Sequence, residues 1–589
     1  EALVHRAVEY LSGQSNGKNV LVLAASPDAA EALKRHLATA LNIPTDTLSK
    51  RGMRVSVPRA IALEVLSDPR AQAACGRKPR LLLPFEENIL LEDVKASGLR
   101  PKRLREMLKF FYRSWTELAD DEPSWLVSEE EVQVHGLLKE CLAFTGGILP
   151  NELSNLAVKW LRADETAREA ASYDLVLVDD YQLLSRASQV LAGLLAREGL
   201  IVTGDAQATT EVFEEYPFAA GLIEFAQADG VRVTRLDACW NSAAVHACCE
   251  NLIGAAQTHE QESRDLAGAN GDGEREAHAL AGANNESAQE RVTPQAGHSP
   301  ATTMEASPHT ACAETAPVKK PAGCASAHAF PTAEAEIAHV AQHITDAIEK
   351  GAQPGEFYLA APNGVWAKSL SRSLEARGIS TAQRPSARML SGDPRDLERC
   401  KTLRLFTLLA LAADPRDMLA WRSWCGFGDW LTDNPGFAAL RRYAAQHGLA
   451  PYDALAAVAA DSPCREAFGK LDAAEQASLE RISQAFEAGQ TALKQLEGLE
   501  GRQLIDAAWG LLDCEQRAQE TTTGQERVPA DLLRLLDTEN PEIAQDAANL
   551  VDRLLAALRE PRFPLAQNAM RIGDLAASHG FSYRTVVLS

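Results

Sequence analysis

The residues best placed to do chemistry are two adjacent carboxylates, Asp179 and Asp180. They close an apolar run, Leu175-Val176-Leu177-Val178, inside the stretch YDLVLVDDYQ from Tyr173 to Gln182. A short, β-branched-rich run bounded by polar residues reads as a buried parallel strand. Acids at the C-terminal end of such a strand stand where open α/β sheets bind ligands. There, one carboxylate can hold a divalent cation and its neighbour can orient or deprotonate a water. A strand that merely ends in two solvated acids is written with the same letters, so the surrounding pattern has to decide.

That pattern continues with a second strand-like run, Leu200-Ile201-Val202, ending in Thr203-Gly204-Asp205-Ala206-Gln207. Arg235-Leu236-Asp237-Ala238-Cys239-Trp240-Asn241-Ser242 then leads into helical spacing. In order and spacing, the three segments resemble motifs II, III and IV of the UvrD/Rep-like superfamily 1 DNA helicases, usually D-E-x-Q-D, G-D-x-x-Q and L-x-x-N-Y-R-S. The resemblance implies ATP and Mg²⁺ as cofactors. Asp179 would ligate Mg²⁺, and Asp180 would act on the attacking water from the usual Glu position, one methylene short. Gln182 matches the motif II glutamine, while Leu183 replaces an acid. Gln207 would sense the γ-phosphate, although G-D-A-Q is one residue shorter than the family pattern. Asn241 stands where an arginine would approach the γ-phosphate, and an amide carries no positive charge; losing an arginine finger typically costs about 10³–10⁵ in rate. Trp240 falls at a DNA-contacting position of the same motif.

The elements that must position these residues follow from periodicity. Ala2 to Leu11 has helical spacing, and Val20-Leu21-Val22-Leu23 reads as a buried strand. Ser26-Pro27 is an N-cap followed by a first turn for a helix reaching Leu41. This strand and helix resemble motif Ia, which implies a contact from Ser26 to single-stranded DNA. Val55-Ser56-Val57-Pro58 and the helix after it resemble motif Ib. Residues 76–165 are helical in pattern and correspond to the 1B insertion. Within them, Lys102, Arg103, Arg105, Lys109 and Arg113 interleave with Phe110, Phe111, Tyr112 and Trp115. Cations for phosphates and aromatic faces for bases are the parts of a single-strand groove, and Arg103 and Lys109 are the DNA-binding candidates here. An amphipathic helix with an aromatic core face and a basic outer face explains the aromatic residues better.

Residues 256–331 are rich in Ala, Gly, Ser, Glu, Asn and Pro, and too poor in large apolar side chains to offset chain entropy; they read as a disordered insertion. From Thr332 the order helix, strand, helix and Gly378-Ile379 resembles the start of the family's 2A domain. Residues 385–565 are helix-rich and correspond to 2B, with Trp421, Trp424 and Trp430 read as core. Asp574 to Tyr583 resembles the approach to motif V, where Ala576, His579 and Ser582 replace the usual His, Lys and Glu; Ser578 is a DNA-binding candidate.

The expected fold class is therefore α/β: two RecA-like P-loop NTPase domains with parallel sheets, each carrying a mainly helical insertion. Domain 1A would comprise residues 1–75 and 166–255, and domain 2A residues 332–384 and 566–589. The sequence contains no G-x-x-x-x-G-K-T loop; the expectation is that this loop precedes Glu1, that motif VI lies beyond Ser589, and that the chain is a fragment. The net charge of −22 over 589 residues argues against a protein that coats DNA over its whole surface. No apolar run is long enough to span a membrane, and eleven cysteines without metal-type spacing fit reduced cytoplasmic thiols. Two functions remain open: an ATP-dependent 3′–5′ DNA helicase or translocase of repair or recombination, and a non-catalytic DNA-binding subunit that pairs with a second helicase–nuclease subunit. The partner in both is single-stranded or partly duplex DNA. An NTP-binding regulator without DNA is the weaker third.

Overall fold

The computed structural model describes residues 2–12, 19–206, 208–235, 326, 328–385, 389–460, 471–517, 527–537, 540, 543–564, 568–579 and 583–589. Gln207, Trp240, Asn241 and the insertion expected over 256–331 therefore lie wholly or almost wholly outside the described residues. The chain divides into two units, Glu1–Val231 with Ala333–Ser589, and Arg232–Thr332. In the second unit, the described residues form no helix or strand, and His328 stacks against Phe330.

The first unit contains two four-stranded parallel sheets. In the first sheet β1 (Val20–Leu23), β2 (Met53–Ser56), β3 (Tyr173–Val178) and β4 (Ala196–Val202) run in the order β2-β1-β3-β4. The apolar runs form strands because helices cover both faces, which is the usual condition of a parallel sheet. Val20, Val22, Leu175 and Leu177 face the helices Ala2–Ser12 and Pro27–Leu41. Leu21, Leu23, Val176 and Val178 face Pro58–Leu66, Leu153–Ala163 and Arg186–Leu195. The register aligns Leu23 with Ser56 and with Val178, and Val178 with Val202. All four strands thus end level, and the residues that follow them emerge along one edge.

The second sheet takes β5 (Phe357–Ala360), β6 (Thr381–Ala382), β7 (Met570–Gly573) and β8 (Thr585–Leu588) in the order β6-β7-β5-β8. Its strands come from segments almost two hundred residues apart in sequence, a crossover that helices fill. Phe357, Leu359, Met570 and Ile572 pack under the helices Ala333–Glu349 and Gly364–Glu375.

The chain between the strands is mainly helical. Pro84–Val94, Pro101–Glu117 and Glu129–Thr145 share one apolar cluster, whereas Leu153–Ala163 packs on the first sheet. The larger cluster surrounds Lys401–Ala413, a mainly apolar helix buried on almost every side, Lys401, Arg404 and Thr407 included. Leu83, Phe85, Ile89 and Phe144 belong to that larger cluster, so the two helical regions share a core. A buried ion pair crosses the same junction. Asp93 Oδ1 and Oδ2 accept from Arg422 Nη2 at 2.7 Å and Nε at 2.9 Å, and each residue is 1% exposed. Arg422 Nη1 also donates to Thr432 O at 2.7 Å.

The three tryptophans expected in the core do not share it. Trp421 and Trp424 lie in the core, but Trp430 is 74% exposed. It follows the helix that buries the other two and sits in a turn, where helical periodicity no longer assigns a face.

Candidate functional site at the edge of the first sheet

Asp179 and Asp180 leave β3 at the level edge. Asp179 N donates to Leu23 O at 2.9 Å, which continues the ladder for one more residue. Asp180 adopts a left-handed conformation, φ 51°, which Asp tolerates because its short side chain can bond locally. The left-handed turn at Asp180, directly after the last ladder bond, goes with different partners for the two carboxylates. Asp179 Oδ1 accepts from Thr203 Oγ1 at 2.7 Å, beyond the end of β4. Asp180 Oδ1 accepts from Gln182 Nε2 at 3.3 Å, and Asp180 Oδ2 faces His579 Nε2 at 2.8 Å.

Burial, reinforced by the neighbouring Asp180 charge, pushes the Asp179 carboxyl up, against the Thr203 hydroxyl and the His579 charge. Burial also opposes ionisation of Asp180, but the His579 hydrogen bond and charge, helped by Gln182, outweigh it and hold that carboxyl below its ordinary value. The two acids are thereby pulled apart: Asp180 is satisfied as an anion, and Asp179 has no ion-pair partner within 4 Å among the described residues.

Gln182 is 1% exposed and ties the strand ends together. Its Nε2 also donates to Ala208 O, and its Oε1 accepts from Asp205 N, both at 3.3 Å. Gly204 makes this possible, since a Cβ there would lie 2.2 Å from Gln182 Oε1. The matched glutamine is thus a brace between β3 and β4, with no free face.

Ser26 is the N-cap expected from sequence: its Oγ accepts from Ala29 N at 3.2 Å. It is 1% exposed, and its Oγ lies 3.1 Å from His579 Nδ1. His579 belongs to the segment between β7 and β8, so it bridges two strand ends of the first sheet from the second. The connectivity Asp180–His579–Ser26 is that of a nucleophile relay, but no carbonyl can reach a hydroxyl this buried, and the ring nitrogens are used in the opposite sense. The arrangement works instead as a clasp between the sheets. A second clasp lies one turn away: Asp28, 3% exposed, accepts from Arg384 Nε at 2.6 Å and Phe563 N at 3.2 Å. Burial raises the Asp28 carboxyl despite the Arg384 charge.

The remaining candidates are more exposed. Ser578 sits in the turn Ala576–Ser578, and its hydroxyl donates to Leu575 O at 2.7 Å. On Pro101–Glu117, Phe111 and Trp115 are buried, while Lys102, Arg103, Arg105, Lys109 and Arg113 all point outward. Arg103 has only distant carboxylate neighbours, Glu130 at 3.7 Å and Glu106 at 3.9 Å, and Lys109 has none within 4 Å among the described residues.

Sequence reasoning did not assign three groups that the fold brings to this edge. Thr203 holds Asp179, His579 holds Asp180, and Arg59, just after β2, lies 4.6 Å over the Phe213 ring. A hydroxyl directly after an apolar run beside G-D was the one available signal, at Thr203. Asp180 and His579 are 399 residues apart, which no local pattern can link.

Glu87, near Arg59, gives a stability prediction. Its Oε2 accepts from Tyr112 at 3.3 Å, and burial raises its carboxyl to about 7 despite that bond. A carboxyl with a folded pKa above its unfolded value binds its proton more tightly when folded, so it does not weaken the fold at pH 4 and progressively destabilises it as pH rises toward 7. Glu87→Gln is expected to leave stability unchanged near pH 4 and to raise it by about 3 kcal/mol at pH 8. Urea unfolding at the two pH values checks this; equal effects at both would mean that Glu87 holds its proton no more tightly folded than unfolded.

Among the described residues no three His, Cys, Asp or Glu side chains converge on a cation site, and no helix is long and apolar enough to cross a membrane. No protein-family model and no curated protein matches this sequence.

Proposed function

We propose that this chain is a UvrD/Rep-like, ATP-dependent DNA helicase or translocase with two RecA-like domains, acting in repair or recombination on single-stranded or partly duplex DNA. The observation that carries the reading is the acid pair at the level edge of one parallel sheet, in contact with a segment of a second parallel sheet. A ligand that engages the pair competes with His579 for Asp180, so its arrival and departure can loosen and restore the join between the sheets.

The residues at the edge fit Mg²⁺. Asp179 is a half-buried carboxyl whose bonded partner is a neutral hydroxyl, a situation that a cation relieves. Mg²⁺ is commonly bound through one or two carboxylates, with phosphates and waters completing its octahedron, so Asp179 alone is a sufficient protein share. Bound Mg²⁺-ATP would supply the transferable phosphoryl group. Asp179 holds and Asp180 orients, while the clasp residues keep bulk water from the strand ends. Asp179→Asn is expected to weaken Mg²⁺-dependent binding of a fluorescent ATP analogue at least about tenfold, with EDTA doing the same to wild type. Unchanged affinity would remove Asp179 from the site.

DNA contact in this reading falls on the outward cations of Pro101–Glu117. The triple change Lys102→Ala, Arg103→Ala, Lys109→Ala is expected to make the log–log salt dependence of single-strand binding shallower by about 2, at roughly 0.7 per lost contact. An unchanged slope would place the DNA elsewhere.

The His579–Asp180 contact favours a second reading, a helicase-fold DNA-binding subunit of a recombination helicase–nuclease, in which the acid is spent on structure. His579→Ala separates the two. It increases nucleotide affinity in a motor and only loosens the fold in a scaffold.

A further inference from the structure

Trp430 is the largest apolar side chain on the described surface of the helical region, and it is presented by a rigid turn. Asp429 Oδ2 accepts from Leu431 N at 2.9 Å and from Asp433 N at 3.0 Å. Thr432 and Asp433 are both left-handed, φ 49° and 55°. Arg481 Nη2 grips Asp429 at 3.2 Å and Asp433 at 2.6 Å, and Thr432 O is tied to the buried Arg422. A turn fixed at so many points holds the indole in water by construction, and pre-positioned exposed aromatics are a mark of binding surfaces.

One side of the indole already carries a cation. The Arg395 guanidinium lies 4.8 Å from the ring centroid and is itself held by Asp393, Nε to Oδ1 at 2.9 Å and Nη2 to Oδ2 at 3.1 Å. Arg395 also lines a cavity of about 330 Å³ shared with Asn88, Glu92, Arg105 and Thr432. Within that cavity Glu92 is neutralised by Lys95 at 2.6 Å and Asp393 by Arg395. Arg105 alone among the lining cations has no carboxylate within 4 Å among the described residues. It extends from Pro101–Glu117, the helix whose exposed face is basic in a chain of net charge −22.

We propose that this cavity and the free face of Trp430 form a single-stranded nucleic-acid subsite, with a base stacked on the indole and its phosphate on Arg105. The inference rests on the DNA-binding reading above and adds a site to it. Stacking on an aromatic face is indifferent to base identity, and Arg105, in the cavity that Arg395 lines as it reaches the Trp430 ring, supplies the phosphate contact. From Arg105 the backbone continues over Lys102 and Lys109. A protein partner anchored on Trp430 is the competing occupant. The unpaired cation and its continuity with the basic helix favour the nucleic acid.

The test is fluorescence anisotropy of a labelled 20-mer oligo-dT titrated with the 589-residue chain over a series of NaCl concentrations. Trp430→Ala is expected to weaken binding about tenfold and Trp430→Phe much less. Arg105→Ala should make the salt slope shallower by about 0.7. An unchanged melting temperature in Trp430→Ala, expected from the exposure of the side chain, excludes unfolding as the cause. If Trp430→Ala binds like wild type while the Lys102/Lys109 double alanine variant loses affinity, DNA binds elsewhere and only this inference falls. If wild type binds no oligonucleotide, the DNA-binding reading falls with it. If Trp430→Ala retains DNA binding but sediments as a smaller species than wild type, the surface is a protein interface and the proposal is overturned.

Discussion

Asp93→Ala is expected to destabilise the helical region by about 3–5 kcal/mol, the usual effect of removing one partner from a fully buried ion pair. Arg422 would be left charged and 1% exposed. Its Nη1 bond to Thr432 O satisfies part of the guanidinium, and Arg441, at 3.7 Å from Asp93, would add a second stranded charge. The loss should appear in the urea transition of the helical signal, read as a shift of that transition because a chain of this size need not unfold in two states. Asp93→Leu combined with Arg422→Met should recover most of the loss, since apolar replacement of both partners is often neutral. A loss under about 1 kcal/mol in Asp93→Ala would mean that water reaches the pair, and that the two helical regions are not joined there.

The second large effect concerns Asp180. In a working motor, Asp180→Glu is expected to raise single-turnover ATP hydrolysis with single-stranded DNA by about 10²-fold. Its carboxylate reaches roughly 1 Å further, and a misplacement of that order costs about that factor. Two features of the site oppose the change. Asp180 is left-handed at φ 51°, a conformation in which a longer side chain adds about 1 kcal/mol of strain, and its Oδ2 must leave His579 to reach a water. The short acid at this position is therefore what the clasp and the backbone both require. Turnover should consequently rise further when Asp180→Glu is combined with His579→Ala. In a scaffold lacking the motif IV arginine, Asp180→Glu does little alone, and Asn241→Arg is needed as well, a residue whose charge is worth about 10³–10⁵ where it acts as a finger. If wild type turns over at ordinary helicase rates and Asp180→Ala leaves that rate unchanged, Asp180 is not the base.

Local pattern made much of the architecture legible. Apolar runs with short polar boundaries announce β1, β3 and β5, because a strand covered on both faces must be apolar throughout. Ser26 announces its helix, because an oxygen is needed for the free amide of Ala29. The outward cations of Pro101–Glu117 and its inward Phe111 and Trp115 follow from helical spacing alone. Trp430 was misplaced because it stands in a turn, where periodicity carries no information about which side is buried.

The sequence by itself determined two parallel-sheet regions interleaved with helices and an acid pair at a strand end, since these depend on continuous apolar runs and on the neighbours of each residue in the chain. Only the tertiary structure decided what the acids touch. Strand register levels the ends of β1, β3 and β4, bringing Ser26, Asp180 and Thr203 to one edge, and His579 reaches them from the second sheet across 399 residues. Asp93 and Arg422, 329 residues apart, become a buried pair for the same reason: a charge in a low-dielectric core is tolerable only beside its opposite, and which opposite it meets is set by packing between elements that no local spacing records.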